Sequence, residues 1–332
     1  MPTETPIFGI TIGDASGVGP EILLKAWAGG EIQNAIVAYG DVEALRHYAS
    51  LLGLAVPIRA IDSPSQYQAG SLNVIDHALL QTGEVTPGQL SAKSGHAARE
   101  YVVSVTKAAL DGSIVAMVTL PMNKEATQLS HPGFTGHTEL IGALCGASEV
   151  TIMLASDQLI VTHVSTHMSL QDAIFAAKKD RICSIIRLTY DAVRRLMPNP
   201  RIAVAGLNPH AGENGLFGTE EQREIIPAVE WARQQGIPVE GPFPPDTLFY
   251  IAVRKKKYDV IVCMYHDQGH IPLKLLDFEG GVNVALGLPI IRTSVDHGTA
   301  FDIAGKGVAS TVSLIRALQF AVRLVGQKAK LD

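Results

Sequence analysis

Apolar and polar positions alternate along the chain between short apolar runs and longer amphipathic ones. Seven runs read as strands: "IFGITI", "AIVAYG", "IVAMVTL", "LIVTHV", "RIAVAGL", "DVIVCMY" and "LPIIRTS". Between them lie helix-like stretches, among them "PEILLKAW", "GHAAREYVVSVTKAALDG", "DRICSIIRLTYDAVRRLM" and "GVASTVSLIRALQFAVRLVG". The strands are apolar throughout rather than on every second residue, which implies burial on both faces. Such strands belong in a largely parallel sheet covered by helices, so the fold class is α/β. A chain of 332 residues is too long for one small core and suits two domains.

The strand endings carry the chemistry. "LIVTHV" runs into "STHMSL" with His167, "RIAVAGL" into "NPHAGENG" with His210, and "DVIVCMY" into "HDQGH" with His266. "IVAMVTL" leads to "PMNKEA" with Lys124. Ligands of open α/β sheets bind at the carboxyl ends of the strands. Three imidazoles without a thiolate pair suit a borderline divalent metal such as Zn²⁺, Co²⁺, Ni²⁺, Fe²⁺ or Mn²⁺, and three protein ligands leave coordination positions open for chemistry. Each histidine taken alone also fits a hydrogen-bonded structural role. The successive spacings of 43 and 56 residues do not by themselves bring the three together.

Two further stretches stand out. "GDASGVGPE" (Gly13 to Glu21) joins a strand to a helix, with Pro20 placed for the first helical turn. Its glycine spacing is neither that of a dinucleotide fingerprint nor that of a Walker loop. It reads as a tight turn first and as an anion site second. Near the C-terminus, Arg292 ends an apolar run, with Lys274 and Asn283 shortly before it. Arg as a bidentate fork and Lys as a point charge suit a phosphate or carboxylate; a plain Arg292–Asp296 pair is the structural alternative.

Composition narrows the classes. The net charge is −5 and "RKKK" (Arg254 to Lys257) is the one dense basic run, so a nucleic-acid partner is not expected. Cys145, Cys183 and Cys263 are widely separated, which disfavours a disulfide framework and points to a reducing cytoplasm. No signal-peptide pattern opens the sequence and no apolar run reaches the ~18 residues of a membrane span.

The ordered motifs "GDASGVGPE", "FTGHTEL", "STHMSL", "LNPHAGENGLFGTEE", "PPDTLF", "MYHDQGHIPLK" and "GLPIIRTSVDHGTAFDIAGKG" resemble the 4-hydroxythreonine-4-phosphate dehydrogenase family over nearly the whole chain. The chain departs from the family's usual Pro at Ala15 or Ser16. "HGTAFDIAGKG" is also similar to the cofactor loop of the isocitrate and isopropylmalate dehydrogenases. The resemblance implies two α/β/α domains of that dehydrogenase type, approximately 1–130 plus 290–332 and 131–289, with the active site in the cleft between them. It implies His167, His210 and His266 as metal ligands; His137, Thr138, Lys274, Asn283 and Arg292 as substrate contacts; and Asp246 or Lys274 as the catalytic proton carrier. His297, Gly298, Thr299 and Asp302 fall on the cofactor loop. Implied with them are NAD, one divalent ion (Zn, Mg, Co, Mn or Ni), a phosphorylated substrate, a homodimer with the site near its interface, and a cytoplasmic location without nucleic-acid or membrane partners. The reaction implied is NAD-dependent oxidation at C3 and decarboxylation of a 4-phosphorylated four-carbon hydroxy acid. "AGENGLFGTEE" and "HDQGHIPLKLL" look most like the branch that turns 4-phospho-D-threonate or 4-phospho-D-erythronate into dihydroxyacetone phosphate and CO2. The alternative is 4-phosphohydroxy-L-threonine oxidation in pyridoxal phosphate synthesis. A third branch oxidises aromatic dihydrodiol carboxylates. More distant alternatives are a phosphate acyltransferase or a non-catalytic sugar-phosphate binding protein, since fold does not fix function.

Overall fold

The structure, a computed structural model, describes residues 5–328. In chain order the elements are β1 (Phe8–Thr11), α1 (Gly19–Ala28), β2 (Ile36–Gly40), α2 (Val42–Leu51), β3 (Ile58–Ile61), β4 (Leu72–Asp76), α3 (Ala92–Leu110), β5 (Ala116–Thr119), α4 (Lys124–Ser130) and α5 (His137–Leu144). Then come β6 (Thr151–Ala155), β7 (Ile160–His163), α6 (Leu170–Ala176), α7 (Lys179–Val193), β8 (Ile202–Ala205), α8 (Ile226–Gln234), β9 (Val239–Phe243), α9 (Pro245–Val253), β10 (Val260–Cys263), α10 (His266–Leu276) and β11 (Val282–Leu286). β12 (Arg292–Val295) and α11 (Val312–Lys328) complete the chain. Among the described residues the chain forms two compact units: 5–148 with Leu288–Val325, and Glu149–Gly287 with the last residues of α11.

In the first unit the strand order is β3-β4-β2-β1-β5-β12, and every pairing is parallel. Phe8, Ile10 and Ile12 are at most 1% exposed, as the unbroken apolar run requires. Each such side chain contributes ~1.5–3 kcal/mol of burial. In the second unit the order is β11-β6-β7-β10-β8-β9. β7, β10, β8 and β9 run parallel, whereas β6 is antiparallel to both β7 and β11. The sheet is thus largely parallel, as the apolar strands imply, and the β6–β7 exception has a local cause. Ser156 and Leu159 close a tight turn, Ser156 N donating to Leu159 O at 2.9 Å, and two strands joined so closely must pair antiparallel.

The first boundary lies at 148 rather than near 130, because α5 packs on α3 together with α4. The expected first domain also extended over residues 1–4 and 329–332, which lie outside the described residues. Arg292 opens β12 instead of closing a strand. The preceding "LPII" bends where Pro289, lacking an N–H, cannot join a ladder. "RKKK" is exposed after the end of α9, and all three cysteines are free.

Candidate active site

In the second unit the strand-to-helix step "CMYHDQGH" is organised by Gln268. Its Oε1 accepts from Met264 N at 2.7 Å and its Nε2 donates to Gly206 O at 2.7 Å. The end of β10 is thereby tied to the end of β8. Gly269 lets α10 sit down on the sheet, since a Cβ there would lie 2.6 Å from His163 Nε2 and 3.0 Å from Cys263 Sγ. His266 begins α10, and His270 and Lys274 follow at successive four-residue steps on the same face. The rings of His266 and His270 stack at 3.6 Å, and His167 lies 5.9 Å from His266, ring centre to ring centre.

His163, at the end of β7, and His270 were not expected members of this cluster. His270 Nδ1 lies 3.1 Å from His163 Nε2, and His163 Nδ1 lies 3.4 Å from Ile152 O. One tautomer set satisfies both contacts: His163 Nδ1–H donates to Ile152 O, and His270 Nδ1–H donates to His163 Nε2. His163, which donates through one nitrogen and accepts through the other, must then be neutral. Burial, followed for His163 by the neighbouring His270, pushes His163 down to about 3. Burial, followed by His266, pushes His270 down to about 4. His266 is half-buried. Its Nδ1 lies 2.7 Å from Asp267 Oδ1, a contact that favours the proton on Nδ1 and leaves the lone pair on Nε2, as in carboxylate–histidine–metal arrangements. His167, His266, Asp267 and Tyr265 line a concavity of about 500 Å³.

His210 is held separately, in an exposed left-handed turn. His210, Ala211, Gly212, Glu213 and Asn214 all have φ between 40° and 80°. Left-handed backbone costs a non-glycine residue ~1–2 kcal/mol. The buried Glu221 offsets part of this by accepting from Leu207 N and Asn208 N, both at 2.7 Å, and from Asn208 Nδ2 at 2.9 Å. Strain concentrated at a candidate ligand is the pattern of a functional loop. The ring of His210 lies 6.0 Å from that of Phe217. Among the described residues, the donor atoms of His167, His210 and His266 do not gather into one cluster; the set that does is His96, Glu100 and His131.

Lys274 has its ammonium 5.5 Å from the Phe278 ring centre. Asn283, on β11, buries Oδ1 without a hydrogen-bond partner. Such an orphaned acceptor is expensive unless a ligand satisfies it. Asp246 is exposed in the first turn of α9, where the helix dipole favours a carboxylate.

In the first unit a second cluster forms around the start of α5. His137 and Thr138 are its first residues, and the cap position, Gly136, supplies no side-chain acceptor. The leading N–H groups are therefore directed to an outside acceptor. Arg292 is 3% exposed, and its Nε and one Nη donate to Thr119 Oγ1 at 3.2 and 2.7 Å. Burial lowers the Arg292 guanidinium to about 10, against the pull of Glu139, so it stays charged at neutral pH. Burial first, then Arg292 and Lys124, push His137 down to about 3. Its Nε2 is buried and has no hydrogen-bond partner. Two cations, the leading helix amides and an unpaired imidazole nitrogen are the chemistry that an anion would require.

The loop expected to take the cofactor is also in this unit, and "GDASGVGPE" with the start of α1 packs against it. Val18 N donates to Thr299 O at 3.0 Å. The buried Glu21 accepts from Gly305 N and Ala309 N at 3.0 and 2.8 Å, and Lys25 donates to Gly307 O and Ala309 O. Gly17 has no room for a Cβ, which would meet the Thr299 side chain at 2.9 Å. The loop is thus clamped to α1, while the Cβ position of Gly298 faces open space. His297 Nε2 lies 2.8 Å from Ser313 Oγ, and Asp302 is exposed.

A family model described as pyridoxal phosphate biosynthetic protein PdxA matches residues 31–321. The chain belongs to the PdxA family. It is 46% identical over 335 residues to a D-threonate 4-phosphate dehydrogenase of Cupriavidus necator, covering 99% of this chain and all of that one. A solved 4-hydroxythreonine-4-phosphate dehydrogenase from Klebsiella pneumoniae is 42% identical, with a TM-score of 0.88 over 97% of this chain and 100% of that one. A β-decarboxylating dehydrogenase from Thermococcus kodakarensis, 12% identical, has a TM-score of 0.50 over 98% of this chain and 97% of that one, which shows the shared fold alone. As a PdxA-family member the chain is a dehydrogenase, an oxidoreductase acting on a CH–OH group.

Proposed function

We propose that this PdxA-family chain is an NAD-dependent, divalent-metal-dependent dehydrogenase of a 4-phosphorylated four-carbon hydroxy acid. Its substrate is 4-phospho-D-threonate or 4-phospho-D-erythronate, and its products are dihydroxyacetone phosphate, CO2 and NADH. The observation that carries the phosphate assignment is the cluster of Arg292, Lys124 and His137 at the open start of α5. Arg292 forks onto the phosphate, and the amides of His137 and Thr138 donate to it. Burial first, then Arg292 and Lys124, keep His137 neutral; a bound dianion would offset the two cations and favour a proton on Nε2, which would then donate to it.

His167, His210 and His266 would hold the divalent ion, supported by the Asp267 contact that frees His266 Nε2 and by the strained His210 turn. Because the donor atoms of the three do not gather within one chain, we assign the complete set to a homodimer in which a second copy contributes. A bound ion would supply polarisation of the substrate hydroxyl, and a bound NAD⁺ would supply the hydride acceptor. Lys274 and Asn283 orient the substrate's polar groups, Asn283 Oδ1 accepting from a hydroxyl. Asp246 or Lys274 carries the proton released at C3. His297, Gly298, Thr299 and Asp302 form the cofactor loop, with open space at Gly298 for close approach. The loop's one cation is Lys306, set near Asp302, so NAD⁺ is preferred over NADP⁺, whose extra phosphate calls for added cations.

The full-length likeness to a D-threonate 4-phosphate dehydrogenase favours the threonate branch. Relatives named 4-hydroxythreonine-4-phosphate dehydrogenase support the amino substrate as the second reading. A side-by-side comparison of kcat/KM on 4-phospho-D-threonate, 4-phospho-D-erythronate and 4-phosphohydroxy-L-threonine separates them. Preference for either phosphorylated hydroxy acid is expected; preference for the amino acid moves the protein to pyridoxal phosphate synthesis.

A further inference from the structure

A cluster in the first unit has no part in the chemistry above. His96 and Glu100 lie one turn apart on α3, and His131 caps the C-terminal end of α4. Their donor atoms all lie within 4.8 Å of one another, and all three side chains are half-buried. The His96 and His131 rings are parallel to within 5°, with centres 5.3 Å apart.

The cluster rests on a rigid support. α3 and α4 touch backbone to backbone at Gly95, where a Cβ would lie 2.3 Å from the Ala126 carbonyl carbon. Thr127 Oγ1 donates across the same contact to Gly95 O at 3.3 Å. Gly95 directly precedes His96, so the helix contact that sets the backbone spacing also sets the spacing of the donors. His131 Nδ1 lies 3.0 Å from Ser130 Oγ. With the proton on Nδ1 and donated to that hydroxyl, Nε2 keeps its lone pair. Glu100 is engaged by Arg99, a half-exposed surface-type pair of the kind that contributes little and gives way readily. Arg99, Ser130 and His131 border a concavity of about 490 Å³, which gives the guanidinium somewhere to move and water a route to open coordination positions.

We propose that His96, Glu100 and His131 form a second divalent transition-metal site, with Zn²⁺ as the best-suited ion, that fastens α3 to α4. Two imidazoles and one carboxylate match zinc's nitrogen and oxygen ligands, whereas Ca²⁺ and Mg²⁺ favour all-oxygen shells. Three protein ligands leave a position for water. The site is distinct from the His167, His210 and His266 set, which belongs to the other unit.

The test is a Co²⁺ titration of the metal-stripped full-length chain, followed by visible absorption and by counting metal per chain. His96→Ala, Glu100→Gln and His131→Asn are compared with the unaltered protein, and circular dichroism checks that each is folded. His131→Asn is the variant least disruptive to packing. The expected result is that each variant loses one equivalent of Co²⁺ or binds it at least about tenfold more weakly, since loss of one of three ligands leaves too few. Zn²⁺ should displace the bound Co²⁺. His210→Ala should leave this equivalent in place, whatever it does elsewhere. Unchanged Co²⁺ stoichiometry and affinity in folded His96→Ala and His131→Asn would overturn the proposal, as would a failure of the unaltered protein to bind any equivalent that these variants lose.

Discussion

Arg292→Met tests the phosphate assignment while preserving most of the side chain's volume. In the ligand-free protein the guanidinium is 3% exposed and donates to the Thr119 hydroxyl. Holding a charge there costs desolvation, so replacing it with an apolar chain should leave the stability of the free protein nearly unchanged or raise it slightly. With substrate the sign reverses. A charge-assisted hydrogen bond is worth ~1.5–3 kcal/mol, so kcat/KM on the phosphorylated substrate should fall about 10- to 150-fold at ~1.4 kcal/mol per decade. A third readout separates recognition from general damage. Arg292 is the largest charge holding His137 down, behind burial alone. The His137 imidazole should therefore titrate at a higher pH in the variant than in the parent, as read by NMR. Steady-state kinetics with the phosphorylated acid, inhibition by inorganic phosphate and the histidine titration together decide the matter. Undiminished kcat/KM would refute the assignment, and so would a loss of stability with unchanged inhibition by phosphate.

Three further outcomes follow from the same geometry. Gly269→Ala should destabilise the second unit by ~1–3 kcal/mol in denaturant unfolding, because the new methyl meets His163 Nε2 at 2.6 Å; an unchanged midpoint would contradict the packing described. His137, His163 and His270 all have folded values below the ordinary histidine value of 6.5, so their stabilising contribution is complete above pH ~6.5 and is lost as pH falls towards the folded values, by at most ~1.4 kcal/mol per pH unit for each ring. Unfolding free energy measured from pH 7 to pH 4.5 should fall accordingly, and a flat profile would mean that these rings are not held neutral. His210→Ala should lower metal content and activity while relieving left-handed strain; full metal occupancy and full activity would remove His210 from the ligand set.

Much of the fold is legible because buried parallel strands are apolar throughout, and β1, β2, β5, β7, β8 and β10 each coincide with such a run. The strands missed are β3, β4, β6, β9 and β11. β3 is a half-exposed edge, and β9 carries Pro242 and partial exposure. β4, β6 and β11 are mostly buried, but runs of five residues are too short for periodicity alone to mark them as strands. At the site, the polar residues that interrupt strand ends were readable, which is why His167, His210 and His266 stand out. His163 did not, since inside "LIVTHV" it looks like part of the strand, and only the close approach allowed by Gly269 reveals its contact with His270. The glycine-rich "GDASGVGPE" was read correctly as a turn first. Its purpose, clamping a loop 284 residues further on through Glu21, is a long-range fact that no local pattern carries. The same holds for His96 and His131, which are brought together by a helix contact at Gly95 rather than by a spacing motif.

The central claim is most directly tested by following NADH formation with 4-phospho-D-threonate and 4-phospho-D-erythronate, with their dephosphorylated counterparts, and with each after treatment with a strong chelator. NADH formation is expected with a phosphorylated acid, with a far slower reaction without the phosphate because remote binding energy positions the reacting carbon, and with loss on chelation that a divalent ion restores. Equal turnover of the phosphorylated and dephosphorylated acids, or full activity in the chelator, would contradict the claim.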